Sequence, residues 1–213
     1  VLGVDGVALF MIILTSFLVP VCILLSWSPT VKANVKEYNI AFFVLESILF
    51  GVFCSLDLLA FYLLFEAVLI PMFFIVGIYG SRDRKIRASY LLFLYTLISS
   101  VFMLVAILAL YFWCGTTDYQ KLQTIQFDYL MVRFVWIAFF LSFAVKMPLV
   151  PFHVWLPEAH SEAPTSGSVI LAGILLKLGG FGFIRYSVGL FPEASAFFAP
   201  LIFSISIFGV VYA

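Results

Sequence analysis

Apolar residues run along this chain in blocks of about 20, each long enough to cross a hydrocarbon core as a helix. Seven such blocks are separable. The first covers 7–27 and is uncharged, with Pro20 inside it. The second, 39–56, carries Glu46, and a turn at Asp57 separates it from the third, 58–79, which carries Glu66. The fourth, 88–113, is uncharged. The fifth starts near 131 and runs to the prolines Pro148 and Pro151, after which 152–162 is too short to span and reads as a half-helix. The sixth, 166–187, holds Lys177 at its centre, and the seventh begins near 196. Strict alternation of apolar and polar positions, the mark of a transmembrane barrel, is absent. The pattern therefore predicts an all-α polytopic membrane bundle, in which every backbone group is satisfied within helices, organised as a single transmembrane domain.

The segments between the blocks set an orientation. Residues 28–39 include Lys32, Lys36 and Glu37. Residues 80–87 include Arg82, Arg84, Lys85 and Arg87 against Asp83, a net +3. With alternating spans these two segments share a side, which the positive-inside rule makes the cytoplasm-equivalent one. The opposite side holds Asp5, Asp57, and a loop with Asp118, Lys121 and Asp128. The half-helix loop falls on the basic side although it carries Glu158 and Glu162, and acidic residues count little in that rule.

Composition agrees: 65% of the residues are hydrophobic and 10% charged, where a soluble domain is about a quarter charged. Formal net charge is zero, so nothing points to a nucleic-acid partner. Cys22, Cys54 and Cys114 lie far apart, without metal-ligand or redox spacing, and read as small buried hydrophobes. There is no Gly-rich nucleotide loop, haem-attachment motif or nucleophile triad. The absence of an initial Met and of a closing loop suggests part of a longer protein.

Four ionisable residues are placed inside spans by this reading: Glu46, Glu66, Lys146 and Lys177. Glu66 lies about 12 Å into its helix and Lys177 about 16 Å into its own, at about 1.5 Å per residue. A charge in hydrocarbon is expensive, and such residues face a bundle interior, meet a counter-charge or line an ion path. A carboxylate and an ammonium at matching depth suggest a pair, in which both stay charged. A static pair would only fix helix order; two central lysines beside a broken helix favour a proton path. Pro148 and Pro151 free carbonyls next to Lys146 that could hold water or a proton donor. Gly179, Gly180 and Gly182 read either as close helix packing or as a further break. His153 and His160 flank Pro157, which spoils a shared helical face for a metal site with Glu158 and Glu162. Because imidazole titrates near neutral pH, they are candidates for proton uptake. Glu46 is open between a polar seam and no role.

The stretches FEAVLIPMF (65–73) and FAVKMPLVPFHVWLPEAHSEAPTSGSVILAGILLKLGGFG (143–182) resemble the antiporter-like membrane subunits of respiratory complex I, the NADH:ubiquinone oxidoreductase. The likeness runs along essentially the whole chain and is strongest toward plant mitochondrial forms. The wider family includes the large subunits of multi-subunit cation/proton antiporters. The resemblance implies two inverted five-helix repeats, of which residues 38–190 would be the first, with one flanking helix on each side. It implies that two helices precede this chain and that the second repeat follows it. By motif position, Glu66 and Lys146 would be the coupled pair and Lys177 the relay onward. Electron transfer, with its FMN, iron–sulfur clusters and ubiquinone, would belong to the complex as a whole, leaving no cofactor in this chain. Its partners would be the other membrane-arm subunits and the lipid bilayer. Its place would be the mitochondrial inner membrane, or alternatively a bacterial plasma membrane. A stand-alone antiporter subunit and a passive membrane scaffold are the rival readings.

Overall fold

The third apolar block folds as two helices with one turn residue between them. α3 (Leu58–Ala67) starts at Asp57, whose carboxylate accepts from the backbone N–H groups of Leu59 and Ala60 at 2.9 and 3.0 Å. That is the bond an N-cap makes with otherwise orphaned donors. α4 (Leu69–Tyr79) follows across Val68. The cause is Pro71: with no N–H, it cannot bond the carbonyl four residues back, at Ala67. The ladder is thus interrupted within two residues of Glu66.

The computed structural model describes residues 1–25, 35–80 and 83–212; Lys32 and Arg82, two of the loop charges used above, lie outside the described residues. Around the broken pair stand α1 (Gly6–Leu25), α2 (Val35–Cys54), α5 (Lys85–Cys114) and α7 (Tyr129–Lys146). α5 ends at Gly115, whose φ of 69° only glycine adopts without strain. A four-residue helix α6 (Tyr119–Leu122), capped by Asp118, lies in the long loop. After α7 come a short 3₁₀ turn, Phe152–Val154, and α8 (Trp155–Glu162), the expected half-helix. The sixth span runs Thr165–Val188 as α9 (Thr165–Ile170), a π segment Leu171–Leu175, α10 (Leu176–Gly182) and a second π segment Phe183–Val188. α11 (Pro192–Tyr212) closes the chain and buries only Ala194. Among the described residues, seven helical spans are long and apolar enough to cross a membrane, as the block pattern predicts.

The break after α7 is closed more tightly than expected. Pro148 has no N–H for the Ala144 carbonyl, and the Leu149 N–H takes that acceptor at 2.9 Å. The Val145 carbonyl accepts from the Trp155 indole Nε1 at 2.9 Å. The Val145 carbonyl thereby fastens α8 to α7, and both it and the Ala144 carbonyl already have a donor from the chain. The glycines of the sixth span resolve toward packing. A methyl at Gly179 would stand 2.9 Å from Met147 Cγ and 3.2 Å from Lys146 Cβ, and one at Gly182 would stand 2.4 Å from a Phe143 ring carbon. They let α10 lie against the end of α7. The irregular stretches fall on either side of them.

Candidate proton path

Lys146 is the last residue of α7 and is 3% exposed. Its Nζ donates to the Phe65 carbonyl of α3 at 3.0 Å and stands 3.4 Å above the Phe65 ring. Both contacts suit a desolvated cation: an electron-rich carbonyl and the negative face of an aromatic ring. Glu66, the next residue of α3, lies within electrostatic reach of Lys146, with Ser100 of α5 also facing its carboxylate. Its Oε1 is buried without a hydrogen-bond partner. So Glu66 and Lys146 are neighbours, but the ammonium bonds the main chain beside the carboxylate. One turn back on α7, the fully buried Ser142 also has an unpartnered Oγ. Orphaned buried polar atoms are rare in folded proteins, and here one lies on Glu66 and another a turn before Lys146 on α7.

Lys177 sits on the sixth span between the two π segments. Its Nζ reaches back to the Ala172 carbonyl at 2.7 Å, within the first of them. It is exposed on the outer face of the chain, away from the buried position of Lys146. π segments often mark functional places in helices. Glu46 lies half-buried on α2, and none of its contacts joins it to the other three.

His153 and His160 point to different places. The His153 ring lies 5.3 Å from the Tyr212 ring, at a cavity of about 710 Å³ lined by Pro148, Leu149, Pro157 and α11 residues. Its Nδ1 is buried without a partner. His160 is half-buried on α8, and burial holds its imidazole below the ordinary value. Neither imidazole bonds Glu66, Lys146 or Lys177. On the basic-loop side, Asp83, Arg84, Glu158, Ser161 and Glu162 line an open polar groove of about 600 Å³. Among the described residues no three His, Cys, Asp or Glu side chains gather as a metal would require, and the three cysteines are free and separate.

Two further cations lie inside the spans, correcting the count of four ionisable residues. Arg133, on the second turn of α7, is held between the rings of Tyr129 and Phe197 at 3.8 and 3.6 Å. Arg185, in the second π segment, is 5% exposed and pairs with Asp5 at 3.2 Å. Arg185 lies within block 166–187, so its charge was legible; the block's apolar average hid it.

A broken helix bearing a buried lysine, packed on a second interrupted helix bearing a glutamate, defines an antiporter-like membrane bundle. The chain belongs to the NADH:quinone oxidoreductase/Mrp antiporter transmembrane family, which it matches over residues 55–213. It is 59% identical over 212 residues to NADH-ubiquinone oxidoreductase chain 4 of Chondrus crispus, covering 100% of this chain and 43% of that protein. It is also 59% identical over 211 residues to the chain 4 protein of Marchantia polymorpha, covering 99% of this chain and 42% of that one. The chain thus spans less than half the length of these curated relatives. Among solved structures it is similar to a chain of respiratory complex I from Thermus thermophilus with bound NADH. The TM-score is 0.79 at 33% identity, over 94% of this chain and 42% of that one.

Proposed function

We propose that this chain is the first half of a proton-translocating membrane-arm subunit of respiratory complex I, in the mitochondrial inner membrane. Helices α2 to the sixth span form the first five-helix repeat, with α1 and α11 flanking it. Quinone reduction by NADH elsewhere in the complex drives the proton movement, and the partners are the other membrane-arm subunits. The observation that carries the reading is Lys146: an ammonium 3% exposed, bonded to a carbonyl next to Glu66 rather than locked to its carboxylate. A buried ammonium held beside a counter-charge keeps its proton, and one that loses that neighbour releases it more readily. Movement of Glu66 relative to Lys146 therefore switches proton affinity at Lys146, and Lys177 takes the proton onward. His153 and His160 serve proton uptake from the basic-loop side, His160 on the same short helix as Glu158 and Glu162.

The test uses the full-length chain in its purified assembly, reconstituted into liposomes. Lys146→Ala should keep NADH:quinone electron transfer while lowering the protons moved per electron. Retention of full pumping in an assembled Lys146→Ala complex would sink the reading. Purification of the chain without redox subunits, with sodium or potassium exchange for protons, would instead establish a stand-alone antiporter. Fewer assembled complexes in Glu66→Gln, each with full protons per electron, would leave a scaffold.

A further inference from the structure

Four pieces of the chain converge on the Arg185 guanidinium at the end of the bundle opposite the basic loops. Its Nη2 pairs with Asp5, just before α1, at 3.2 Å, and Nη1 donates to the Phe53 carbonyl at the end of α2 at 3.0 Å. The Tyr119 ring of α6 and the Phe181 ring of α10 lie 5.6 and 5.4 Å from it. The next residue, Tyr186, donates its hydroxyl to the Ser55 carbonyl at 3.2 Å. Around this point the loops are stitched together. Gly3 and Leu56 bond Cys54 and Val1, Tyr119 bonds Leu56, and Thr117 Oγ1 donates to Asp57 at 2.7 Å. The second π segment supplies Arg185, eight residues beyond Lys177 or about 12 Å along the span.

Between this knot and the Glu66–Lys146 pair the interior is aromatic. Phe61 stacks obliquely on Tyr186 at 4.5 Å, Phe53 meets Phe181 at 5.1 Å, and Phe65 meets Phe143 at 6.0 Å. All six of these side chains are almost fully buried. A guanidinium stays charged at any physiological pH. A fixed buried cation behind an apolar constriction repels protons and excludes water, as charged and dewetted barriers do in channels.

We infer that Arg185 is the electrostatic seal of the proton path. It stops protons held at Glu66, Lys146 and Lys177 from escaping to the far aqueous face within this repeat. The role of Asp5 is to hold the guanidinium in place. This rests on the proton-path reading above, but it makes a separate claim, read as passive leak rather than as pumping.

The experiment uses liposomes containing the assembled complex with the full-length chain, a trapped pH dye, and a potassium diffusion potential in place of NADH. Arg185→Gln should raise passive proton leak severalfold at unchanged electron-transfer rate. Arg185→Lys, which keeps the charge, should stay near the wild-type leak. Adding Lys146→Ala to Arg185→Gln should bring the leak back down, because the path behind the seal is then cut. If Arg185→Gln does not assemble, Arg185→Leu with Asp5→Leu removes both charges without stranding either, and should leak in the same way. Wild-type leak in an assembled charge-free variant overturns the seal, whatever Lys146→Ala does to pumping. Leak in Arg185→Lys equal to that in Arg185→Gln would also overturn it, because shape rather than charge would then be responsible. If Lys146→Ala pumps fully, the proton-path reading fails independently of the leak result.

Discussion

Glu66→Gln and Lys146→Met should each lower stability, compensate each other in the double variant, and have the same effect on pumping. Lys146 has a carbonyl at 3.0 Å and an aromatic face at 3.4 Å, but its counter-charge is one residue removed. Two unit charges about 4 Å apart couple by about 4 kcal/mol at an effective dielectric of about 20, and at about twice that separation by about 2 kcal/mol. Glu66→Gln removes that coupling and leaves a buried ammonium without its counter-charge, so it should destabilise by about 2 kcal/mol. Lys146→Met loses the same coupling and strands the Glu66 carboxylate, whose Oε1 already lacks a partner, so it too should destabilise, by about 2 kcal/mol. The double variant should recover most of what Glu66→Gln loses. In pumping, the double should be no worse than the worse single, since groups that act as a unit give non-additive losses. The assays are protons per electron in liposomes and thermal unfolding of the purified assembly. The unfolding is read as a ranking, because a multi-subunit assembly does not melt in two states. Multiplicative pumping losses, or a Glu66→Gln as stable as wild type, would refute the coupling.

Three further outcomes are expected. Asp57→Ala removes the N-cap of α3 and the acceptor for Thr117, and should lower stability by about 2 kcal/mol, seen as a fall in thermal midpoint. Lys177→Ala should change the midpoint little, because its ammonium is exposed and bonds only its own helix at Ala172; pumping should nonetheless fall. His160 has its imidazole held below the ordinary value by burial, so the unfolded chain binds the proton first as pH drops. The stability from its neutral form is full above about pH 6.5 and is lost as pH falls toward the folded-state value. His160→Gln should flatten the midpoint between about pH 7 and pH 5.

Span number, the half-helix and the charged residues were legible because each rests on composition over many residues. Their detailed geometry was not. A hydropathy pattern carries no information on whether Lys146 bonds Glu66 or the carbonyl beside it, since both lie on the same face of α3. Gly179 and Gly182 were ambiguous for a similar reason. A missing Cβ serves a break or a close contact equally, and only the positions of Met147 and Phe143 decide for contact. The proline break was legible, but its exposed carbonyls were not, because their acceptors are filled by Leu149 and by Trp155 from another element. Arg185 is hard to see in the sequence because twenty apolar or small residues in its block swamp its charge; its partner Asp5 lies 180 residues away in sequence.

Each of the three buried or membrane-depth cations on this path ends on a backbone carbonyl near a helix irregularity. Lys146 takes Phe65 beside the Val68 interruption, Lys177 takes Ala172 in the first π segment, and Arg185 takes Phe53 at the end of α2. A carbonyl satisfies a cation without neutralising it, so at Lys146 and Lys177 the charge remains available to respond to a neighbour, whereas Arg185 is also paired with the half-exposed Asp5. Pro71→Ala tests whether the irregularity matters. It returns an N–H that can bond the Ala67 carbonyl and removes a residue that in a helix interior is worse than Ala by about 3 kcal/mol. If the interruption is only a packing accident, the variant should be at least as stable and pump normally. If the interruption sets how Phe65 and Glu66 present to Lys146, stability should hold or rise while protons per electron fall. That pattern, a more regular helix that works less well, is the expected result; normal pumping with a raised midpoint would show that α3 and α4 need no break.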